Sequence, residues 1–133
     1  MKVAVVGSRN FSHPALVAQV IQRIAQTHPG TEILSGGARG VDTWAAEAAR
    51  VAGLPVTVFP ADWNRYGRGA GMFRNSQIVE AADVILAFWD GVSRGTQDTI
   101  RKAREAGKKV RVITPQTVSC LSKTTSEARD EAH

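Results

Sequence analysis

The chain reads as a doubly wound α/β domain, a parallel sheet of five strands with helices on both faces, and three observations predict it. Short apolar runs alternate with amphipathic stretches in the order β-α-β-α-β-α-β-α-β, the pattern of a parallel sheet wound by crossover helices. The first run is a continuous β-branched stretch, as expected of a strand covered on both sides. Glycine and proline punctuate the junctions. Right-handed crossovers leave few topologies for such a chain, and strand order 3-2-1-4-5 is the one expected.

Residues 2–6 form the first strand, and residues 14–28 a helix with Leu16, Val17, Val20, Ile21 and Ile24 on one stripe after Pro14 at a first helical position. Pro29-Gly30 ends that helix, and Thr31 to Ser35 make the second strand. The helix over 40–52 carries Val41, Trp44, Ala45, Ala48, Ala49 and Ala52 at helical spacing, which places Trp44 in the core, with Gly53 at its C′ position and Pro55 blocking continuation. Val56 to Phe59 form the third strand, and residues 61–71 read as a long loop of the functional kind. A helix over 72–82, a strand over 83–88, a helix over 96–106 ending at Gly107, and a strand over 109–113 complete the domain, assigned to residues 1–113. Residues 114–133 are polar and weakly periodic and read as a flexible tail, with at most a helical turn or two over 127–131.

At 133 residues the chain suits one domain able to bury a full core unaided. Cys120 is the sole cysteine, so an intramolecular disulfide is excluded. His13, His28 and His133 have no metal-type spacing, so neither a metal nor a cofactor is expected. No apolar run could span a bilayer and no leader pattern opens the chain, so a cytoplasmic protein is expected. The formal charge of +5 favours anionic partners, although Arg101, Lys102, Arg104, Lys108 and Lys109 read most simply as a solvated face.

Ligands of open α/β sheets bind beyond the carboxyl ends of the strands, where strand order reverses. On that edge fall Gly7-Ser8-Arg9-Asn10-Phe11 after strand one, Ser35-Gly36-Gly37-Ala38-Arg39-Gly40-Val41-Asp42 after strand two, and Asp90-Gly91-Val92-Ser93-Arg94-Gly95-Thr96 after strand four. Glycines let backbone approach a phosphate, helix N-termini near Gly40 and Thr96 offer free N–H groups, and Arg9, Arg39 and Arg94 add charge-assisted donors. Tight strand-to-helix turns would by themselves also account for the glycines. The loops lack the Gly-Lys-Ser/Thr end of a P-loop, the G-x-G-x-x-G fingerprint and a G-x-S-x-G elbow, which argues against ordinary ATP hydrolysis, NAD-dependent dehydrogenation and serine esterase chemistry.

Asp42 either stabilises its helix start or bonds a ribose hydroxyl, and Asp98 divides similarly between helix start and chemistry. Arg74 and Asn75 are placed to reach the cleft or to form a surface pair. Trp63 and Tyr66 offer stacking surfaces for a base, with core packing of Trp63 equally open.

Taken together, Gly7-Ser8-Arg9, the stretch Ser35 to Asp42, Asp62-Trp63 with Tyr66-Gly67, Arg74-Asn75, and Ser93-Arg94-Gly95-Thr96 resemble the YspA-like (YpsA-related) branch of the SLOG superfamily over residues 2–113. The resemblance implies a Rossmann-like fold, a nucleotide, nucleotide-sugar or NAD-derived ligand, and a homodimer. More distantly it implies the phosphoribohydrolases known as LOG or lysine decarboxylase-like enzymes. Arg74 matches their arginine, nine residues before Asp83, and Gly95-Thr96 match their P-G-G-x-G-T-x-x-E motif. The glutamate of that motif falls on Thr99, and Asp98 lies one residue earlier, about 100° away around a helix.

The expected function is therefore binding or sensing of a nucleotide-type small molecule such as a nucleoside phosphate, ADP-ribose or an NAD-derived ligand. Gly7, Ser8, Arg9, Ser35, Gly36, Gly37, Arg39, Gly40, Asp42, Arg74, Asn75, Asp90, Ser93, Arg94, Gly95 and Thr96 are the expected binding residues. The alternative is a nucleoside 5′-monophosphate N-glycosidase with Arg74 and Asp98 catalytic, or Asp42 or Asp90 as acid/base group. Single-stranded nucleic-acid binding ranks last, because aromatics are only 6% of the chain and do not interleave with a basic run. No membrane partner is expected.

Overall fold

Every strand of the sheet owes its place to a neighbour on each side or to a covering helix. In the computed structural model, which describes residues 1–37 and 39–114, the strands are β1 (Lys2–Gly7), β2 (Glu32–Ser35), β3 (Val56–Val58), β4 (Val84–Phe88) and β5 (Lys109–Ile113). All pairings are parallel, and the order is β3-β2-β1-β4-β5, as the sequence predicts. The polar tail and its possible turn lie outside the described residues from 115 onward.

The continuous apolar run of β1 has a direct cause. Val3 and Val5 join one core cluster with Val17 and Ile21 of α1 (Pro14–Thr27) and Val41, Ala45 and Ala49 of α2 (Val41–Val51). Ala4 and Val6 point the other way, into a second cluster with Ile78 and Val79 of α4 (Ala70–Ala81) and Ile100 and Ala103 of α5 (Arg94–Glu105). Alternate side chains of one strand thus enter two cores, so neither face of the strand can be polar. Val3, Ala4, Val5 and Val6 are all buried. Trp44 is half-buried against the first cluster.

Helix ends follow the local chemistry. Pro14 opens α1 at a position that needs no N–H partner. After α2 the chain turns at Gly53 with φ +79°, and the N–H of Leu54 reaches the carbonyl of Ala49 at 2.9 Å, closing the helix in a Schellman turn.

One element departs from the sequence reading. The stretch 61–71 is mostly helical: α3 (Trp63–Tyr66) and a 3₁₀ turn (Gly67–Gly69) lead straight into α4. Asp62 caps α3, its carboxylate accepting the N–H of Arg65 at 3.1 Å. Gly67, Gly69 and Gly71 lower helix propensity enough to hide these turns from a pattern-based reading. No helix among the described residues is long and apolar enough to cross a membrane.

Candidate functional site

The crossovers leave β1 in opposite directions, toward β2 and toward β4, and a crevice opens where they part. It holds a cleft of about 450 Å³, floored by Val6 and Ile78 and walled by the loops after β1 and β4 and by α2 and α4. Its size is that of a small-molecule site.

Close approaches fix the loops around it. A Cβ on Gly7 would stand 2.7 Å from the Phe88 carbonyl and from Val41, so only glycine lets the end of β1 lie between β4 and α2. Gly40 has φ +80°, and a Cβ there would come within 2.7 Å of the Arg9 carbonyl, so the loops after β1 and β2 are packed together. Beneath the cleft Ser8 is buried; its N–H donates to the Phe88 carbonyl at 3.0 Å, and its hydroxyl accepts the N–H of Asp90 at 3.2 Å and lies 3.5 Å from the Thr96 hydroxyl.

The loop from β4 to α5 is shaped by Asp90. One carboxylate oxygen accepts the N–H groups of Val92 and Ser93 at 2.9 and 2.8 Å, forming the turn that delivers the chain into α5. Burial disfavours the charged form of this carboxyl, but those backbone donors and the Ser8 hydroxyl outweigh it and hold its pKa below the ordinary aspartate value. The Ser93 carbonyl accepts from Gln97 at 3.1 Å and begins the helix, whose first turn has no side-chain cap at Ser93. Ser93, Gly95 and Thr96 line the cleft, so a twelve-residue helix directs its positive end at this space.

Arg74 of α4 forms the facing wall. Its Nη1 donates to the Gly36 carbonyl and its Nε to Asn75 Oδ1 at 3.0 Å. Buried Asn75 is oriented in turn, its Nδ2 lying 3.4 Å from both the Gly95 carbonyl and Asp98 Oδ2. The guanidinium is thereby tied to the bend after β2 on one side and to its own helix on the other.

Of the residues expected from sequence, the cleft brings together Gly7, Arg9, Asp42, Arg74, Asn75, Asp90, Ser93, Gly95 and Thr96. Ser8 and Ser35 support it from behind; the Ser35 hydroxyl donates to the Asp42 carbonyl at 3.0 Å and accepts the N–H of Gly37 at 3.2 Å. The bend after β2 is not the open socket its glycines suggest. A Cβ on Gly36 would lie 2.7 Å from Arg74 Nη1 and from Asp42 Oδ2, so the missing side chain makes room for the protein's own groups. Gly36, Gly37, Arg39 and Gly40 do not line the cleft, so of the two glycine-rich turns expected to face it, only the one that leads into α5 does.

Arg94 and Asp98 belong to another surface, a groove on the outer side of α5 with Trp89 and Arg101. Asp98 is buried and accepts from Arg101 at 2.9 Å and Lys102 at 2.8 Å. Burial opposes its charge, but Lys102, Asn75 and Arg101 overcome that penalty and hold its pKa below the ordinary value. It touches the cleft only through Asn75. The helical offset read from the sequence predicts this divergence: Thr99, one residue on, lines the cleft, with its hydroxyl donating to the Gly95 carbonyl at 3.2 Å. Asn10 and Val92, which the strand-end loops contain but the expected binding residues do not, also stand in the wall. Tyr66 packs on Phe73 with ring centroids 4.5 Å apart, while Trp63 is 58% exposed.

The chain is similar to known proteins in sequence and in fold. The Gene 61 protein of Mycobacterium phage D29 is 38% identical over 113 residues, covering 80% of this chain and 90% of the phage protein. A DNA processing protein A structure from Helicobacter pylori, titled for its single-stranded DNA binding mode, superposes with a TM-score of 0.67 at 21% identity, over 84% of this chain and 64% of that one. The molybdenum cofactor binding protein of Rippkaea orientalis superposes with a TM-score of 0.66 at 19% identity, over 94% of this chain and 84% of that one. These two likenesses show the common fold. The model of the YspA, cpYpsA-related SLOG family matches residues 1–66, which hold β1, β2, β3 and the loops after β1 and β2. By that match and by its phage relative, the chain belongs to the YspA, cpYpsA-related SLOG family.

Proposed function

We propose that the cleft binds a nucleotide or nucleotide-derived ligand by its phosphate, and that the protein acts as a binding or sensing module. One observation carries the reading: the uncapped N-terminus of α5 opens into a cleft whose wall also carries the oriented guanidinium of Arg74. Main-chain N–H groups, a helix dipole and a guanidinium group at one space, with Arg9 as a second arginine among the lining residues, are complementary to a phosphate. Asp42, buried at the start of α2, stands on the same wall and suits a ribose hydroxyl. Two proteins of the same fold are named for binding single-stranded DNA and molybdenum cofactor, which supports ligand binding as the use of this architecture.

The reading is of binding without cleavage. Splitting an N-glycosidic bond calls for a carboxylate poised at the leaving group or the developing cation. The position matched to that carboxylate holds Thr99, and Asp98 is bound to Arg101 and Lys102 away from the cleft. Of the two carboxylates that do line the cleft, Asp90 is engaged by the Val92 and Ser93 N–H groups, so cleavage would have to rest on Asp42, which this reading assigns to the ribose. Calorimetric titration with AMP, ADP-ribose, NAD and a cyclic nucleotide tests the proposal. Saturable binding of at least one, weakened by Arg74→Ala, is expected; silence across the panel overturns it.

Single-stranded nucleic acid is the second reading, favoured by exposed Trp63 and by Arg65 lying 5.3 Å over the Tyr66 ring on a chain of net charge +5. Affinity for an oligonucleotide that falls steeply with salt would support it, and a flat response would dismiss it.

A further inference from the structure

We infer that Trp63 is the platform on which the aromatic base of the ligand stacks, which makes it the residue that separates nucleotides from plain sugar phosphates; this rests on the nucleotide reading of the cleft. A tryptophan 58% exposed leaves a large apolar surface in water, more than Tyr66 at 38% or Phe73 at 44%. Tyr66 is covered by Phe73 on one side and by Arg65 within 5.3 Å of its ring. Trp63 makes no ring contact among the described residues.

Its position ties it to the cleft. A Cβ on Gly71 would stand 3.5 Å from Trp63 Cη2 and 3.9 Å from Arg74 Nη2, so the tip of the indole and the edge of the guanidinium both lie within 4 Å of one point. Arg74 is a wall of the cleft. Glycine at 71 adds no side chain of its own between the indole and that wall. Trp63 opens α3 directly after the Asp62 cap, which fixes the backbone that carries the indole. A phosphate at the start of α5 and a base on this indole would straddle Arg74, with the sugar between them. Stacking is indifferent to which base is present but requires that there be one, and Trp offers the largest face for it.

Titration of wild type and variants with AMP and with ribose 5-phosphate tests this. Wild type is expected to bind AMP about tenfold more tightly than ribose 5-phosphate. In Trp63→Ala that preference falls to near unity while the affinity for ribose 5-phosphate is unchanged, and Trp63→Phe restores most of it. Because the side chain is largely in solvent, both variants are expected to melt as wild type does. Equal affinity of wild type for the two compounds, or a preference untouched in Trp63→Ala, overturns the inference while leaving phosphate binding in place. Binding of neither compound overturns the inference, and the cleft reading falls with it only where ADP-ribose, NAD and the cyclic nucleotide are silent too.

Discussion

The hydroxyl of Ser8, at the end of β1, accepts the backbone N–H of Asp90, at the end of β4, across the point where the sheet changes direction. The bond is 3.2 Å long and lies under the cleft, with Ser8 buried. It therefore couples packing to the site: the loop whose turn presents α5 is anchored to the central strand by one side chain. Ser8→Ala leaves the Asp90 N–H without that acceptor in a sheltered position, a loss of about 1–2 kcal/mol. Chemical denaturation should show this as a lower midpoint at unchanged slope, and AMP affinity should fall with it. A variant as stable as wild type would mean that water replaces the hydroxyl.

Two glycines on the same sheet edge should respond to alanine in opposite ways. At Gly7 the new Cβ meets the Phe88 carbonyl at 2.7 Å together with Val41, and backbone cannot step aside. Gly7→Ala is expected to cost about 3 kcal/mol. At Gly36 the new Cβ meets only the ends of Arg74 and Asp42, which can move. Gly36→Ala should cost about 1 kcal/mol or less while shifting the guanidinium and weakening ligand binding. Thermal melts and titration together separate the two effects; equal destabilisation would contradict the reading of the Gly36 bend as a dock for Arg74.

Acid should reveal Asp98 as a structural carboxylate. Its folded pKa lies below the ordinary 3.8, so its ionised form stabilises the fold, fully above the unfolded value and progressively less as pH falls through the folded one. Asp98→Asn is expected to lose about 1–2 kcal/mol at pH 7, a modest figure because Arg101 is 56% exposed and its share is screened. The gap between wild type and variant should stay constant from neutrality to about pH 4 and close below it. Denaturation curves across that range provide the check, and a gap that persists at the acid end would mean that packing, not charge, is lost.

How much of this was legible in the chain differs by the kind of signal. The parallel sheet covered on both faces followed from the rhythm of apolar runs, because Val3, Ala4, Val5 and Val6 serve two cores, and its strand order from the handedness of the crossovers. The β4–α5 loop was legible because one short segment supplies turn, helix start and lining. The β2–α2 loop was not, since glycine composition says that space is left but not what fills it, and at Gly36 the filler comes from Arg74, distant in sequence. Asp98 and Thr99 were decided by a single helical step, which a motif match alone does not resolve. The helical turns over 63–69 were hidden by glycines whose low propensity is overcome by the Asp62 cap.

The arrangement at Arg74 makes a further demand that lysine cannot meet. Nε and Nη1 are both committed, to Asn75 Oδ1 and to the Gly36 carbonyl, so the planar fork holds its own place and keeps Nη2 for other work. A lysine has one charged nitrogen, which must choose between the Gly36 carbonyl and a ligand. Arg74→Lys should therefore weaken AMP binding about tenfold with less than about 1 kcal/mol lost in stability. Arg94→Ala is the matched control: it removes an arginine from the same edge of the sequence pattern, yet one that faces the outer groove of α5. Calorimetry on the two variants side by side should show the first impaired and the second unchanged. Were Arg94→Ala the more damaging of the two, the ligand would belong in the outer groove, and the cleft between β1 and β4 would be only a consequence of how the sheet is wound.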